Sequence, residues 1–353
     1  MSLSIGIVGL PNVGKSTLFN TLAKKQVEAS NFPFCTIDPN VGVVKVPDQR
    51  LDCIARISKP KQVIPTAIEF VDIAGLVQGA HEGEGLGNKF LANIRECDAI
   101  CEVVRNFEDS NIHHVSGRID PEEDRSTILT ELIMADIQTV EKVLVKIEKE
   151  ARGHDKKAIK KLELLKKLLD HLNNGVPART LALDEDETEL IKIYSLFTLK
   201  PILYVVNIND DSKKLESKWD GESISLNIQL ESEIAVLPET EQAEYIKELG
   251  FEQSGLDKLI KASYTLLKLQ TFFTTGPEET RAWTIKAGAK APAAAGVIHT
   301  DFEKGFIRVE VVSYNDFVEL GSEAAARDKG KLRAEGKDYI MQDGDICHFL
   351  FNK

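Results

Sequence analysis

The sequence predicts an α/β fold with a mainly parallel sheet and helices on both faces, interrupted by a helical insertion and followed by a small second module. Three observations carry this expectation. Apolar runs such as Ser4-Ile-Gly-Ile-Val8, Ala67-Ile-Glu-Phe-Val71 and Ile202-Leu-Tyr-Val-Val206 read as short buried strands, the last two running into Asp72 and Asn207. Between about residues 126 and 199, apolar residues recur at helical spacing among many lysines. Beyond Leu266 the pattern changes to short alternating strands, with Thr274-Thr-Gly-Pro277 reading as the boundary. The expected division is residues 1–125 and 200–275 for the sheet domain, 126–199 for the arm and 276–353 for the second module.

Composition narrows the class. The chain has 353 residues, 42% hydrophobic and 28% charged, which is the profile of a soluble globular protein of two or three domains. No apolar run approaches the roughly 18 residues of a membrane span, so no membrane partner is expected. A net charge of -12 argues against a global positive field for nucleic acid and leaves only local basic patches. Five cysteines, an odd number without CxxC pairs and with no secretory leader ahead of them, are expected to be reduced thiols in a cytoplasm. A monomer is the default expectation.

The first strand runs into Gly9-Leu-Pro-Asn-Val-Gly14-Lys15-Ser16, which matches G-x-x-x-x-G-K-[ST], and residues 16–24 then carry amphipathic helical spacing. In that order of strand, glycine-rich turn and helix, backbone N–H groups curl around phosphates and the helix N-terminus adds a favourable dipole. Asn12, Val13, Gly14, Lys15, Ser16 and Thr17 are therefore expected to hold a nucleotide triphosphate. Lys15 would neutralise charge on the β- and γ-phosphates, and the Ser16 hydroxyl would serve Mg²⁺, which prefers hard oxygen ligands.

Thr36 lies between this helix and the second strand, where switch proteins supply a threonine to Mg²⁺ and the γ-phosphate. Asp72-Ile-Ala-Gly75 follows the second strand as a D-x-x-G element, in which Asp72 reaches Mg²⁺ through water and the Gly75 N–H approaches the γ-phosphate. Leu76 stands where Ras-like GTPases carry the glutamine that orients the attacking water. Water must then be positioned by another side chain, by backbone, by a monovalent cation such as K⁺ near Asn12, or by a partner. His81 and His114 are the histidines that loops could bring to the γ-phosphate, and a solvated loop position is the competing reading for both.

In the insertion, Ile133, Ile137, Val140, Leu144 and Ile147, then Leu162, Leu165, Leu169 and Leu172, predict two long antiparallel helices. Their joint is expected near Arg152-Gly-His-Asp155 and their end near Asn173-Asn-Gly175. Lysines on both sides of the joint make the tip locally basic, which reads either as a solvated face or as a contact for RNA or an acidic protein. A second basic group, Lys329, Lys331, Arg333 and Lys337, lies in the last module.

Asn207-Ile-Asn-Asp210 occupies the place of the N-K-x-D guanine element, with Ile208 in place of the lysine. Asp210 alone still favours guanine, because adenine offers N1 as an acceptor and leaves a buried carboxylate without a donor. Gln229, in Ser225-Leu-Asn-Ile-Gln229, lies where the base-edge loop should be and serves either purine.

Three longer strings are more specific than these motifs. Asn31-Phe-Pro-Phe-Cys-Thr-Ile-Asp-Pro-Asn40, Phe70-Val-Asp-Ile-Ala-Gly-Leu-Val-Gln-Gly-Ala80 and Gly83-Glu-Gly-Leu-Gly-Asn-Lys-Phe-Leu-Ala-Asn-Ile-Arg-Glu96 resemble the YchF family, an Obg-related branch of P-loop NTPases. The resemblance continues into Arg281-Ala-Trp-Thr284 and residues 297–307, which look like that family's C-terminal TGS module. It implies a P-loop NTPase G domain, a coiled-coil arm and a β-grasp-like TGS domain, with ATP preferred over GTP and association with the ribosome. By the same resemblance His114 matches a histidine implicated in hydrolysis, which raises it above His81. The family usually has glutamate at the position of Asp210, so a GTP-preferring switch and a nucleotide-gated scaffold with negligible turnover stand as the alternatives to a slow Mg²⁺-dependent ATPase switch. A metabolic phosphotransferase is disfavoured by the switch-like Thr36 and D-x-x-G.

Overall fold

The structure, a computed structural model, describes residues 3–25, 39–73, 86–109, 118–153, 155–210, 215 and 218–352. In chain order its strands are β1 (Ser4–Val8), β2 (Val41–Lys45), β3 (Gln62–Ile64), β4 (Ala67–Asp72), β5 (Ala99–Arg105) and β6 (Ile202–Asn207). They continue with β7 (Glu222–Leu226), β8 (Leu269–Thr275), β9 (Glu279–Lys286), β10 (Phe306–Ser313), β11 (Arg333–Glu335) and β12 (Asp345–Phe351).

The first sheet has the order β2-β4-β1-β5-β6-β7 and is parallel except for β2, which pairs antiparallel with β4. Every residue of β5 and β6 is buried, so side chains on both faces are covered, which is why these strands read as continuous apolar runs. Chain order reverses across β1, with β4 and β2 on one side and β5, β6 and β7 on the other. That reversal opens a crevice at the carboxyl ends of β1 and β5, where open α/β sheets bind ligands.

The insertion leaves the sheet as the helix Pro121–Ala151 and returns as Lys156–Asn173. Asp120 caps the first helix by accepting from the Glu123 N–H, and Asp155 caps the second by accepting from the Lys157 N–H. Ile133, Val140, Leu144 and Ile147 pack against Leu164, Leu165, Leu168 and Leu172, while Ile128, Leu132 and Ala135 of the same first helix belong to the core beneath the sheet. The arm is thus rooted in the sheet domain. It starts at Pro121 rather than near residue 126, and a short third helix, Glu185–Lys192, precedes the return to β6.

The second sheet has the order β11-β10-β12-β8-β9-β3. Two of its features differ from the expected division. Strand β8 pairs antiparallel with β9 and parallel with β12, so the second sheet begins at Leu269 rather than at residue 276. Strand β3, which precedes β4 in the chain, adds to the far edge of this sheet by pairing parallel with β9. The helix Gln49–Ser58 also packs here: Leu51 and Ile54 share a core with Phe273, Val312, Phe317 and Ile346. The opposite face is covered by the helix Ala291–Ile298 through Ala291, Ala294 and Ala295. Segment 46–66, between β2 and β4 of the first sheet, is therefore built into the second.

Candidate nucleotide site

At the end of β1 the chain turns through Gly9 to Gly14 and enters the helix Lys15–Ala23. Gly14 has φ 104°, and a Cβ there would stand 2.5 Å from Nδ2 of Asn207, so this position needs glycine both for its backbone and for space. The helix has no acidic residue in its first turn and no side-chain cap, which leaves its N–H groups and positive dipole end open to an anion.

Asn207, at the end of β6, holds this turn in place. Its Nδ2 donates to the Val13 carbonyl at 2.9 Å, and its Oδ1 accepts from the Ile228 N–H at 3.3 Å. One buried amide thus joins the phosphate turn, the sheet and the loop that opens the helix Ile228–Ile234.

Lys15 is half-buried. Burial lowers the pKa of its ammonium below the ordinary lysine value, and the nearby Asp72 carboxylate acts in the opposite direction. Asp72 closes β4, and its Oδ1 is buried with no hydrogen-bond partner among the described residues. A buried carboxylate oxygen without a donor is costly unless a cation or ordered water serves it. With the exposed Ser16 hydroxyl, this is a hard-oxygen donor set of the kind Mg²⁺ takes. Among the described residues no group of three or more His, Cys, Asp or Glu could hold a metal by itself.

A cavity of about 530 Å³ opens at the phosphate turn, by the carboxyl ends of the strands. Leu10, Asn12, Gly14, Lys15, Ser16 and Thr17 of the turn and its helix line it. The rest of the lining is Phe107, Glu108 and Asp109 after β5, Asn207, Ile208 and Asn209 after β6, and Asn227, Ile228 and Gln229 after β7. Its size and mixture of apolar and amide groups suit one nucleotide.

Most sequence-expected residues meet here. Val13 is buried and contributes through its carbonyl, and Asp72 is linked to the site through its electrostatic effect on Lys15. Gln229 reaches the cavity while its Nε2 donates to Glu233. Asp210, expected at the base, is exposed and is not among the residues lining the cavity. Thr36, Gly75, Leu76, His81 and His114 lie outside the described residues. The reading from sequence did not single out Phe107, Glu108, Asp109, Leu10, Asn209, Asn227 or Ile228 as lining residues. The signal was present for the first three, since Ala99-Ile-Cys-Glu-Val-Val-Arg105 is an apolar run that ends in polar residues like its neighbours, with Glu102 interrupting it.

The chain resembles known proteins over its whole length. Residues 4–133 match the family model described as a 50S ribosome-binding GTPase. Residues 269–352 match the YchF GTPase C-terminal family, described as a protein of unknown function. The chain is 52% identical over 362 residues to the ribosome-binding ATPase YchF of Haemophilus influenzae, covering 100% of both chains. It is 51% identical over 365 residues to the ribosome-binding ATPase YchF of Bacillus subtilis, again covering 100% of both. The solved structure of the Schizosaccharomyces pombe YchF GTPase superposes with a TM-score of 0.89 at 39% identity, covering 99% of this chain and 98% of that one.

Proposed function

This chain belongs to the YchF family, and from that premise we propose that it is a Mg²⁺-dependent P-loop ATPase that acts as a slow nucleotide switch on the ribosome. The observation that carries the reading is the phosphate turn with the half-buried Lys15 lining a nucleotide-sized cavity, and the Asp72 carboxylate near enough to act on the Lys15 ammonium. Ser16, Thr36 and Asp72 are assigned to Mg²⁺, the last through water. A bound ion would supply charge neutralisation at the phosphate oxygens. Lys15 neutralises the same oxygens from the protein side, and the helix N-terminus orients them.

ATP is assigned over GTP because Asp210 does not reach the cavity wall, while the wall offers amides and the apolar Ile208 and Phe107. Amides can both donate to the adenine N1 and accept from its amino group. A GTP-preferring switch is the second reading, favoured by the carboxylates of Glu108 and Asp109 on the same wall. With leucine at position 76, orientation of water is assigned to His114, with His81 second, and a K⁺ ion near Asn12 is the further candidate. The arm and the TGS-like C-terminal domain are assigned to the ribosome and its RNA, and the protein itself to the cytoplasm as a monomer. Among the described residues no helix is long and apolar enough to cross a membrane.

Calorimetric titration with non-hydrolysable ATP and GTP analogues in Mg²⁺ and K⁺, repeated on Asp210→Glu, tests the base assignment. Tighter ATP binding in both forms is expected. GTP preference in the wild type, lost in Asp210→Glu, would overturn it while leaving the phosphate site intact.

A further inference from the structure

We propose that Arg105 is a positioning residue for the nucleotide, acting through the three-residue wall 107–109 that it holds from beneath. Arg105 closes β5 beside Asn207 of β6 in the register and is 1% exposed, one of the largest fully buried side chains among the described residues. Its Nε donates to the Phe107 carbonyl at 3.0 Å, its Nη2 to the Asp109 carbonyl at 3.5 Å, and its guanidinium lies 4.4 Å from the centre of the Phe107 ring. Asn209 ties the residue between them, donating from Nδ2 to the Glu108 carbonyl at 3.4 Å. Phe107, Glu108 and Asp109 all line the cavity, from the segment after β5 rather than from the phosphate turn.

The choice of residue carries the argument. A fully buried arginine is uncommon because desolvating a cation is costly, and an aliphatic side chain would fill the same volume at less cost. An arginine brings a planar fork that can hold two carbonyls at once and stack on a ring, which neither lysine nor methionine reproduces. Arg105 and Asn207 thus divide the crevice: Asn207 fixes the phosphate turn through Val13, and Arg105 fixes the wall where the base would lie. The base wall is thereby set by a residue that no nucleotide reaches.

This inference rests on the reading of the cavity as an ATP site. The test compares two probes in Mg²⁺, AMPPNP and inorganic tripolyphosphate, on the full-length wild type, Arg105→Lys and Arg105→Gln, with thermal midpoints confirming that each variant is folded. Wild type should bind both probes, and its failure to bind either would sink the ATP-site reading itself. In a folded variant, AMPPNP binding should weaken roughly ten- to hundredfold, the range for losing one or two hydrogen bonds to a charged group. Tripolyphosphate, which has no base, should bind within about twofold of wild type. Equal weakening of both probes, or no weakening of AMPPNP, would overturn the role of Arg105 and leave the ATP site standing. If Arg105→Gln does not fold, Arg105→Lys decides, since it keeps the charge and most of the volume.

Discussion

Asp136 in the outgoing arm helix accepts two hydrogen bonds from Thr198 at the arm's return, both at 2.7 Å, one from the backbone N–H and one from the hydroxyl. A third comes from the Phe197 N–H at 2.8 Å. One fully buried carboxylate therefore closes the insertion across 62 residues of chain. Burial raises the Asp136 pKa to about 6 from its ordinary 3.8, and the three donors offset only part of that cost. Removing the carboxylate should loosen the arm at its root.

Asp136→Asn turns one acceptor into a donor facing other donors, so it should destabilise the chain by about 1–3 kcal/mol. Its pH signature is distinctive. Because the folded state holds this proton more tightly than the unfolded chain, the contribution is most favourable below pH 3.8 and is lost as pH rises to about 6. The difference in unfolding free energy between wild type and Asp136→Asn, measured by denaturant titration across that window, should shrink as pH rises. A pH-independent difference would refute the assignment.

Gly14→Ala should abolish tight nucleotide binding while leaving the thermal midpoint within a few degrees. The new methyl would meet Asn207 Nδ2 at 2.5 Å and push the amide off the Val13 carbonyl. A fluorescent ATP analogue binding as in wild type would show that the turn tolerates the added atom and that the close approach is not limiting.

Lys15→Met should cost at least tenfold in triphosphate affinity, in keeping with about 1.5–3 kcal/mol for a charged hydrogen bond. Burial already disfavours the ammonium in the free protein, and a bound polyphosphate favours it. Binding should therefore take up protons at alkaline pH, and affinity should fall as pH rises through the lowered lysine pKa. Titration calorimetry in buffers of different ionisation enthalpy measures this uptake, which should vanish in Lys15→Met.

The two sheets should unfold as one unit, because segment 46–66 is packed into the second sheet while its ends are β2 and β4 of the first. Arg50 pairs with Asp48 and, at 2.7 Å, with Asp343, and the Thr66 hydroxyl bonds that of Thr284. Ile54→Ala should leave a single unfolding transition and reduce its free energy by about 2–5 kcal/mol, the usual cost of deleting a buried isoleucine side chain. Deleting residues 269–353 strips Leu51 and Ile54 of their partners and should yield a chain that binds hydrophobic dyes. A deletion variant that melts cooperatively with its exposed apolar surface silent to dye would argue against the interlock.

Much of this architecture was legible because its signals are local. Gly9 to Ser16 specifies its own turn through glycine torsions and the helix that follows. The arm announces itself through helical periodicity, and Asp155 marks its joint as an N-cap. The membership of segment 49–64 in the second sheet was not legible: β3 is three residues long, and nothing within it names β9 as its partner. The same holds for β8, whose pairing with β12 decides on which side of the boundary it lies.

The sequence by itself determined the phosphate turn and the fold class, the turn from residue order within one strand, one turn and one helix, the class from the run of apolar strands and helical spacing along the chain. Only the tertiary structure decided the rest of the cavity lining. It left Asp210 exposed, away from the lining, and brought in Phe107, Glu108 and Asp109 on the carbonyl grip of Arg105. The reason is physical: which side chains share a crevice depends on the register of neighbouring parallel strands, and that register is fixed by burial and pairing between segments about 100 residues apart.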